Sequence, residues 1–297
     1  MLFVRESDTA PHFLNGRKGM YVRTDEFSNR FEPQLATESE LRQLLDRRKI
    51  IRTRRQSLID RARERFGSFE SSRFEELRTD SKESMGANFD ITIVPRFPAE
   101  PLVNHFSLLR HTQLINIPWR QVGFPRNAQA TVSQHESLIQ LRPGSNFSIL
   151  EANIWGLLFF GSEIERHEEQ GAKYKGIHLF QFLGNVFVFV QYASKLLKHL
   201  SYTGSLHVEI RMRKMRGVNW VSFEHNFPVD GPASELDDTI HMATEIQSDQ
   251  LFESPNQVSL DLLRLIFSAT NWTALVQPDA IGRLTRGAHQ YNSLGRT

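Results

Sequence analysis

One uncharged segment of nineteen residues, Gly176 to Ser194, constrains the fold of this chain more than any other feature. Its length alone would suffice to cross a bilayer. However, His178, Gln181 and Asn185 repeat at i, i+3 and i+7 and therefore share one helical face. Polar groups at the centre of a bilayer are costly. The segment therefore predicts a helix buried in the core of a globular domain, and no membrane span.

Strand patterns surround this helix on both sides in the sequence. The interval Ser205–Arg213 alternates strictly between apolar and polar residues, and a turn near Arg216-Gly217 predicts a hairpin with Val218–Phe223 that is exposed on one side. Further strands are predicted at 90–98, at 130–141 (one strand or a pair) and at 149–164, with bends or bulges at Gly156 and Gly161. Helices are predicted from Pro255 to about Trp272 and over 281–289. This segregation of strands and helices favours an α+β domain with a mainly antiparallel sheet.

The amino-terminal part of the chain differs from the rest in its pattern of predicted elements and in its charge. Short strands at Leu2–Arg5 and Met20–Thr24 predict a β-hairpin, and Thr37 with Glu40 forms a capping box that opens a long helix through Phe66. Between Arg42 and Phe66 ten Lys and Arg residues stand against three acidic ones, a local charge of +7 in a chain whose total is +2. The predicted organisation is a hairpin and basic helix over 1–67, a linker over 68–87 and an α+β sensor or assembly domain over 88–297.

The basic helix has two interpretations. Arginines spread along one helix could contact the phosphates of a nucleic acid. Alternatively, they could form a solvated helix face, or pair with acidic residues elsewhere in the chain. The residues predicted to contact phosphates are Lys18, Arg23, Arg30, Arg47, Arg48, Arg52, Arg54, Arg55 and Arg61.

Known catalytic signatures are absent from the sequence. It contains no phosphate loop, no dinucleotide-binding glycine motif, no nucleophile elbow and no zinc-protease motif. The chain has no Cys, which excludes disulfides and thiolate-bound metals and fits a cytoplasmic location. The cluster Ser133-Gln-His-Glu-Ser137 is no catalytic triad, because neighbouring strand residues point to opposite faces. The sequence therefore assigns no catalytic residue, no metal ligand and no cofactor.

One segment resembles a known family. Gly19, Tyr21, Val22, Arg23, Ser28 and Arg30, followed by the helix start at residues 38–44, resemble the closing half of the Schlafen-type AlbA-like domain. The resemblance covers about residues 1–45 and implies association with nucleic acid, in transcriptional regulation or antiviral defence. The rest of the chain is similar to the accessory domain of some bacterial proteins of this kind, often described as ATP-binding or DNA-binding. The acidic opening half of the family's domain has no counterpart here, so we expect a longer parent protein or a partner chain that supplies those strands.

Three hypotheses follow from the sequence. The first is a non-enzymatic protein that binds DNA or RNA without sequence specificity through the basic helix. The second is an assembly subunit that completes its sheet with a protein partner or with another copy of itself. The third is a metal-assisted nuclease that uses Glu151, Glu163 and His135.

Overall fold

The computed structural model describes residues 21–22, 34–35, 37–77, 86–115, 117, 124–125, 130–134, 136–142, 147–163, 175–221, 228–232 and 237–270. These residues form five helices: α1 (Glu38–Leu77), α2 (His105–Leu114), α3 (Leu179–His199), α4 (Ser248–Glu253) and α5 (Pro255–Ser268). The strands are β1 (Tyr21–Val22), β2 (Gln34–Leu35), β3 (Asn88–Pro95), β4 (Ala130–Gln134), β5 (Ser137–Arg142), β6 (Ser148–Asn153), β7 (Leu158–Glu163), β8 (Lys175–His178), β9 (Ser205–Arg213), β10 (Val218–Val221), β11 (Pro228–Pro232) and β12 (Thr239–Gln247). None of the described helices is long and apolar enough to span a membrane.

A seven-stranded sheet organises the molecule. Its strand order is β12-β9-β3-β7-β6-β5-β4, and every neighbouring pair is antiparallel. A three-stranded sheet, β11-β10-β8, and the two-residue pair β1-β2 complete the strands. The predicted α+β class with a mainly antiparallel sheet is therefore confirmed.

The apolar face of the large sheet packs against α3 and α5. Alternate residues of β3 and β9 point to this face, and they pack with the buried segment of α3 in one continuous hydrophobic cluster. Phe160 lies at its centre and contacts the rings of Phe89, Phe124 and Phe189 at centroid distances of 5.6, 5.1 and 6.0 Å. The uncharged segment is thus a core helix, as predicted, and its first residues form β8.

The opposite face of the sheet is covered by α1. Leu58, Ile59, Ala62 and Phe66 pack in a second, smaller cluster with residues of β3, β5, β6 and β7. The close approach requires glycine at position 161, because a Cβ there would lie 2.9 Å from the ring of Phe66. Helix α1 therefore shares its core with the sheet that follows it in sequence.

The structure differs from the predicted end of the basic helix. Helix α1 continues beyond Phe66 to Leu77, so residues 68–77 of the predicted linker are helical. The ring of Phe69 packs on that of Phe147 at 6.3 Å, which anchors these extra turns. The capping box at its start is confirmed: the amide of Thr37 donates to Glu40 at 2.7 Å, and the amide of Glu40 donates to the Thr37 hydroxyl at 3.3 Å.

The predicted hairpin between Ser205–Arg213 and Val218–Phe223 is wrong. Both edges of β9 are already occupied, by β3 and β12. The chain turns away through Lys214 and Gly217, which adopt positive φ angles of 61° and 68°, and β10 joins β8 and β11 instead. The polar side of β9, expected to be exposed, is half-buried because α1 lies over it.

At the amino terminus, strand β1 lies within the predicted segment Met20–Thr24. It pairs with Gln34–Leu35, with Tyr21 opposite Leu35. The other predicted strand of that hairpin, Leu2–Arg5, lies outside the described residues, as does the predicted helix over 281–289.

Candidate nucleic-acid interface

The basic residues of α1 divide into two sets. Five of the ten between Arg42 and Phe66 are exposed, and the other five are half-buried against the sheet. The exposed residues are Arg42, Arg47, Lys49, Arg52 and Arg61; the half-buried ones are Arg48, Arg54, Arg55, Arg63 and Arg65. The three acidic residues of the same interval are all exposed. The net charge of +7 between Arg42 and Phe66 is therefore not exposed to solvent as one continuous basic stripe.

Two of the predicted phosphate ligands are bound to backbone carbonyls. Arg54 donates to the carbonyl oxygens of Pro98 and Ala99 at 3.0 and 2.7 Å, and its guanidinium lies 4.3 Å from the ring centroid of Trp155. Arg55 donates to the carbonyl of Arg96 at 3.2 Å. Burial lowers the pKa of Arg55, and the nearby Glu209 opposes this shift. Both side chains hold α1 to the segment that follows β3 and are poorly placed for a ligand in solution.

Arg48 and Arg61 are also constrained. The Nε atom of Arg48 is enclosed and has no hydrogen-bond partner among the described residues. Arg61 donates from Nε to the carbonyl of Ser57 at 3.3 Å and lines a cleft of about 720 Å³ between α1 and the β4–β5 hairpin. Glu64 and Glu136 line the same cleft, so its charges are mixed and do not favour a polyanion.

The other exposed basic residues of this interval lie in the amino-terminal half of α1. No residue between Glu38 and Ile50 is fully buried, and Ile51 is the first that is. Arg42, Lys49 and Arg52 repeat at i, i+7 and i+10 and therefore share one side of the helix, whereas Arg47 lies on another flank. Arg42 forms a 2.5 Å ion pair with Glu38. The side chains of Lys49 and Arg52 form no hydrogen bond or ion pair with another described residue.

Three predicted ligands lie outside the described residues. They are Lys18, Arg23 and Arg30, which belong to the segment that carries the family resemblance. That resemblance remains a prediction.

The inward side of α1 contains a buried ion-pair layer that the sequence analysis did not identify. Arg63 donates from Nε to Asp90 Oδ1 at 3.0 Å, and its Nη2 lies 2.8 Å from Glu209 Oε2. Arg211 donates to the other oxygen of Asp90 at 2.9 Å. Asp90 is fully buried, so these two arginines supply the positive charge that a buried carboxylate needs.

A second buried carboxylate lies further along the same side of α1. Arg65 binds both oxygens of Glu151, with 2.9 Å between Nε and Oε2, and the hydroxyl of Ser137 donates to Oε1 at 2.7 Å. Glu151 is fully buried. Asp90, Glu151 and Glu209 are the buried acidic residues of the described chain, and three arginines face them: Arg63, Arg65 and Arg211. The layer is electrically balanced.

Glu209 lies between Arg63 and two histidines, and its pKa is lowered. Burial raises the pKa of Glu209, but the hydrogen bond from His207 and the charge of Arg63 outweigh it and lower that pKa to about 2. His207 Nε2 lies 2.8 Å from one carboxylate oxygen, and His241 Nε2 lies 3.4 Å from the other. The carboxylate is therefore charged across the ordinary pH range.

The residues of the nuclease hypothesis do not form a metal site in the described structure. Both oxygens of Glu151 are occupied by Arg65, and His135 lies outside the described residues. Among those residues that are described, no group of three His, Asp or Glu side chains could hold a metal ion. An arginine bound to both oxygens leaves no carboxylate edge for a cation.

The cluster around Ser133 spans the connection from β4 to β5, so the argument from one continuous strand does not apply to it, and its imidazole, His135, lies outside the described residues. Ser133 contacts His105 Nε2 at 2.6 Å, Glu136 accepts from Trp155 Nε1 at 2.7 Å, and Ser137 donates to Glu151. The three described side chains thus have different partners, and the absence of a triad with His135 stays a prediction.

Comparisons of the chain with protein-family models, with curated proteins and with solved structures give no match.

Proposed function

We propose that this protein binds nucleic acid without catalysis and without sequence specificity, through phosphate contacts made by the amino-terminal half of α1. The observation that carries the proposal is the set of exposed cations in residues 42–52. Four exposed basic side chains (Arg42, Arg47, Lys49 and Arg52) stand there against one acidic side chain, Asp46. The interface is smaller than the predicted one, because Arg54 and Arg55 are bound to carbonyls of the chain itself.

The spacing of these cations fits a polyanion. Arg42 to Arg52 spans ten residues of helix, or about 15 Å at 1.5 Å per residue, which is about four nucleotide steps at 3.4 Å. Lys49 and Arg52 are one turn apart on the same side of α1, so both can reach neighbouring phosphates. Phosphate contacts position a protein but carry no sequence information, so we expect little preference between base sequences.

The resemblance to the Schlafen-type AlbA-like domain supports the same class of ligand. It implies a regulatory or defence setting, and it would add Arg23 and Arg30 to the interface. The nuclease hypothesis is not taken further, since Glu151 belongs to the buried ion-pair layer.

Salt-dependent binding tests the proposal. Fluorescence anisotropy would be measured with duplex DNA, single-stranded DNA and RNA of equal length over a range of salt concentrations. For K49E/R52E we expect a loss of affinity of about tenfold or more at low salt, and a salt slope smaller by about 1.5, because two phosphate contacts are lost. The matched control is R110E/K198E, which makes the same charge change at exposed positions of α2 and α3.

The two double variants separate a local interface from a general charge effect. The proposal requires R110E/K198E to bind almost as well as the unmodified protein. Equal losses in both variants would mean that affinity follows net charge alone and that α1 is no interface. Absence of binding to all three nucleic acids at low salt would exclude the proposal.

A further inference from the structure

The large sheet ends on one side in a long, regular strand. β12 pairs with β9 through nine consecutive residue pairs, from Thr239 opposite Arg213 to Gln247 opposite Ser205, with no bulge. No described strand pairs with its other side. We propose that a second copy of this chain binds there, with the two β12 strands antiparallel around a two-fold axis.

The outer edge of β12 lacks most of the features that usually prevent pairing. Edge strands are commonly protected by proline, charged side chains (lysine above all), a bulge, an inward-pointing charge or a very short length, and of these β12 has only the charge of Glu245. β12 contains neither Pro nor Lys, and its inward positions hold Ile240, Met242, Thr244 and Ile246. The opposite edge strand, β4, has only five residues. The two edges of the same sheet thus differ in their suitability for pairing.

The sequence of β12 is complementary to itself. With Ala243 opposite Ala243 of the second copy, each His241 faces Glu245 of the other chain, and each Ile240 faces Ile246. His241 and Glu245 lie on the α1 side of the sheet with 49% and 42% of their side chains exposed; within one chain His241 lies 3.4 Å from Glu209, and Glu245 pairs with Arg96 at 2.7 Å. Facing residues of antiparallel strands lie about 4.5–5.5 Å apart, so the imidazole and the facing carboxylate can form a hydrogen bond beside these contacts, and the facing isoleucines pack together.

This register is also the one that the geometry selects. It pairs all nine residues of β12, whereas any shift leaves some unpaired. A shift by one residue would place the apolar side of one strand opposite the polar side of the other. A small residue on the axis, Ala243, allows two identical side chains to meet without a clash. The axis is perpendicular to the sheet, so the apolar face and the charged face each continue into the second copy.

Because the proposed two-fold axis passes through Ala243, a single substitution at this position tests the dimer. Ala243 is exposed, so A243K leaves the core of one chain unchanged but places two lysines opposite each other at the axis. We expect sedimentation velocity to show a mass of two chains for the unmodified protein and of one chain for A243K or A243E. An equimolar mixture of A243K and A243E restores the dimer, because a lysine of one chain then faces a glutamate of the other. A243S is the matched control and remains a dimer.

Each of the other outcomes overturns the proposal. An unmodified protein that stays monomeric from nanomolar to high micromolar concentration excludes it. A dimer that survives A243K uses another surface. If A243K does not fold, amide hydrogen exchange of the unmodified protein provides the test: exchange over 239–247 must slow as concentration rises, and a concentration-independent rate rejects the edge. Neither measurement involves nucleic acid, so the result is independent of the proposed function.

Discussion

The two faces of the seven-stranded sheet are stabilised by different interactions. Against α3 and α5 the sheet presents mainly apolar side chains, with Phe160 among the largest that are fully buried, and a few small polar ones such as Ser162 and Thr244. Against α1 a small apolar cluster is flanked by the buried ion-pair layer around Asp90, Glu151 and Glu209. Apolar packing is non-directional and tolerates exchange of one hydrophobic residue for another. The charged face depends on specific partners, so we expect it to fix where α1 sits on the sheet.

The largest expected effect is on the apolar face. Phe160→Ala removes a ring that packs on three other aromatic rings, and it should lower the free energy of unfolding by about 3–5 kcal/mol because a cavity remains. Chemical denaturation measures the loss. Phe106→Ala is the matched control: this ring is 85% exposed, and its removal should change stability by less than about 0.5 kcal/mol. Similar losses in both variants would contradict the assigned core.

Removal of one partner from the charged face should have an effect of comparable size. Arg65→Met leaves Glu151 buried without its cation and should cost about 3–5 kcal/mol of unfolding free energy. The combined variant R65M/S137A/E151L replaces the whole group by apolar side chains and should recover most of that loss. Denaturant unfolding of both variants gives the two values.

An exposed ion pair on the same helix is the control for this experiment. Arg42 and Glu38 are 75% and 77% exposed, and Arg42→Met should cost at most about 0.5 kcal/mol. If the combined variant were as unstable as Arg65→Met alone, the charged group would stabilise the fold more than apolar side chains at the same positions do. The charged face would then contribute net stability as the apolar face does, and the two faces would not differ in this respect.

The two faces also differ in how well the sequence predicts them. The core helix, the strand Ser205–Arg213 and the helix entry at Pro255 follow from local periodicity, and the structure confirms them. The partners in the ion-pair layer are 27 residues apart for Arg63 and Asp90, and 86 for Arg65 and Glu151. No local pattern relates them. The available signal was a single acidic residue between apolar neighbours in each strand, Asp90 in β3 and Glu151 in β6, since such a residue requires a cation from elsewhere when it is buried.

Strand β12 and the directions of the α1 arginines were not predicted for the same physical reason: both depend on contacts with residues distant in sequence. β12 alternates, but Thr244 on its inward side and Ala243 on its outward side weaken the apolar repeat, so pairing with β9 decides its structure. The direction in which each arginine of α1 points could not be predicted either. Apolar and basic residues interleave along the inward side, and only contact with the sheet determines which guanidinium groups are used internally. Of the predicted phosphate-binding set, Arg54 and Arg55 are used internally in this way.

The smallest expected effect is a change in how the unfolding free energy depends on acidic pH, and it arises on the charged face. The pKa of Glu209 is lowered from 4.5 to about 2 in the folded protein, so its ionised form stabilises the fold at neutral pH. This contribution is fully present above about 4.5 and is lost as the pH falls towards 2. E209Q lacks it at every pH. The slope of the unfolding free energy against pH should therefore be smaller for E209Q than for the unmodified protein. The difference is at most the slope that corresponds to uptake of about one proton on unfolding. Urea unfolding at a series of acidic pH values compares the two proteins. A common slope would mean that His207 and Arg63 do not hold this carboxylate ionised in the folded protein.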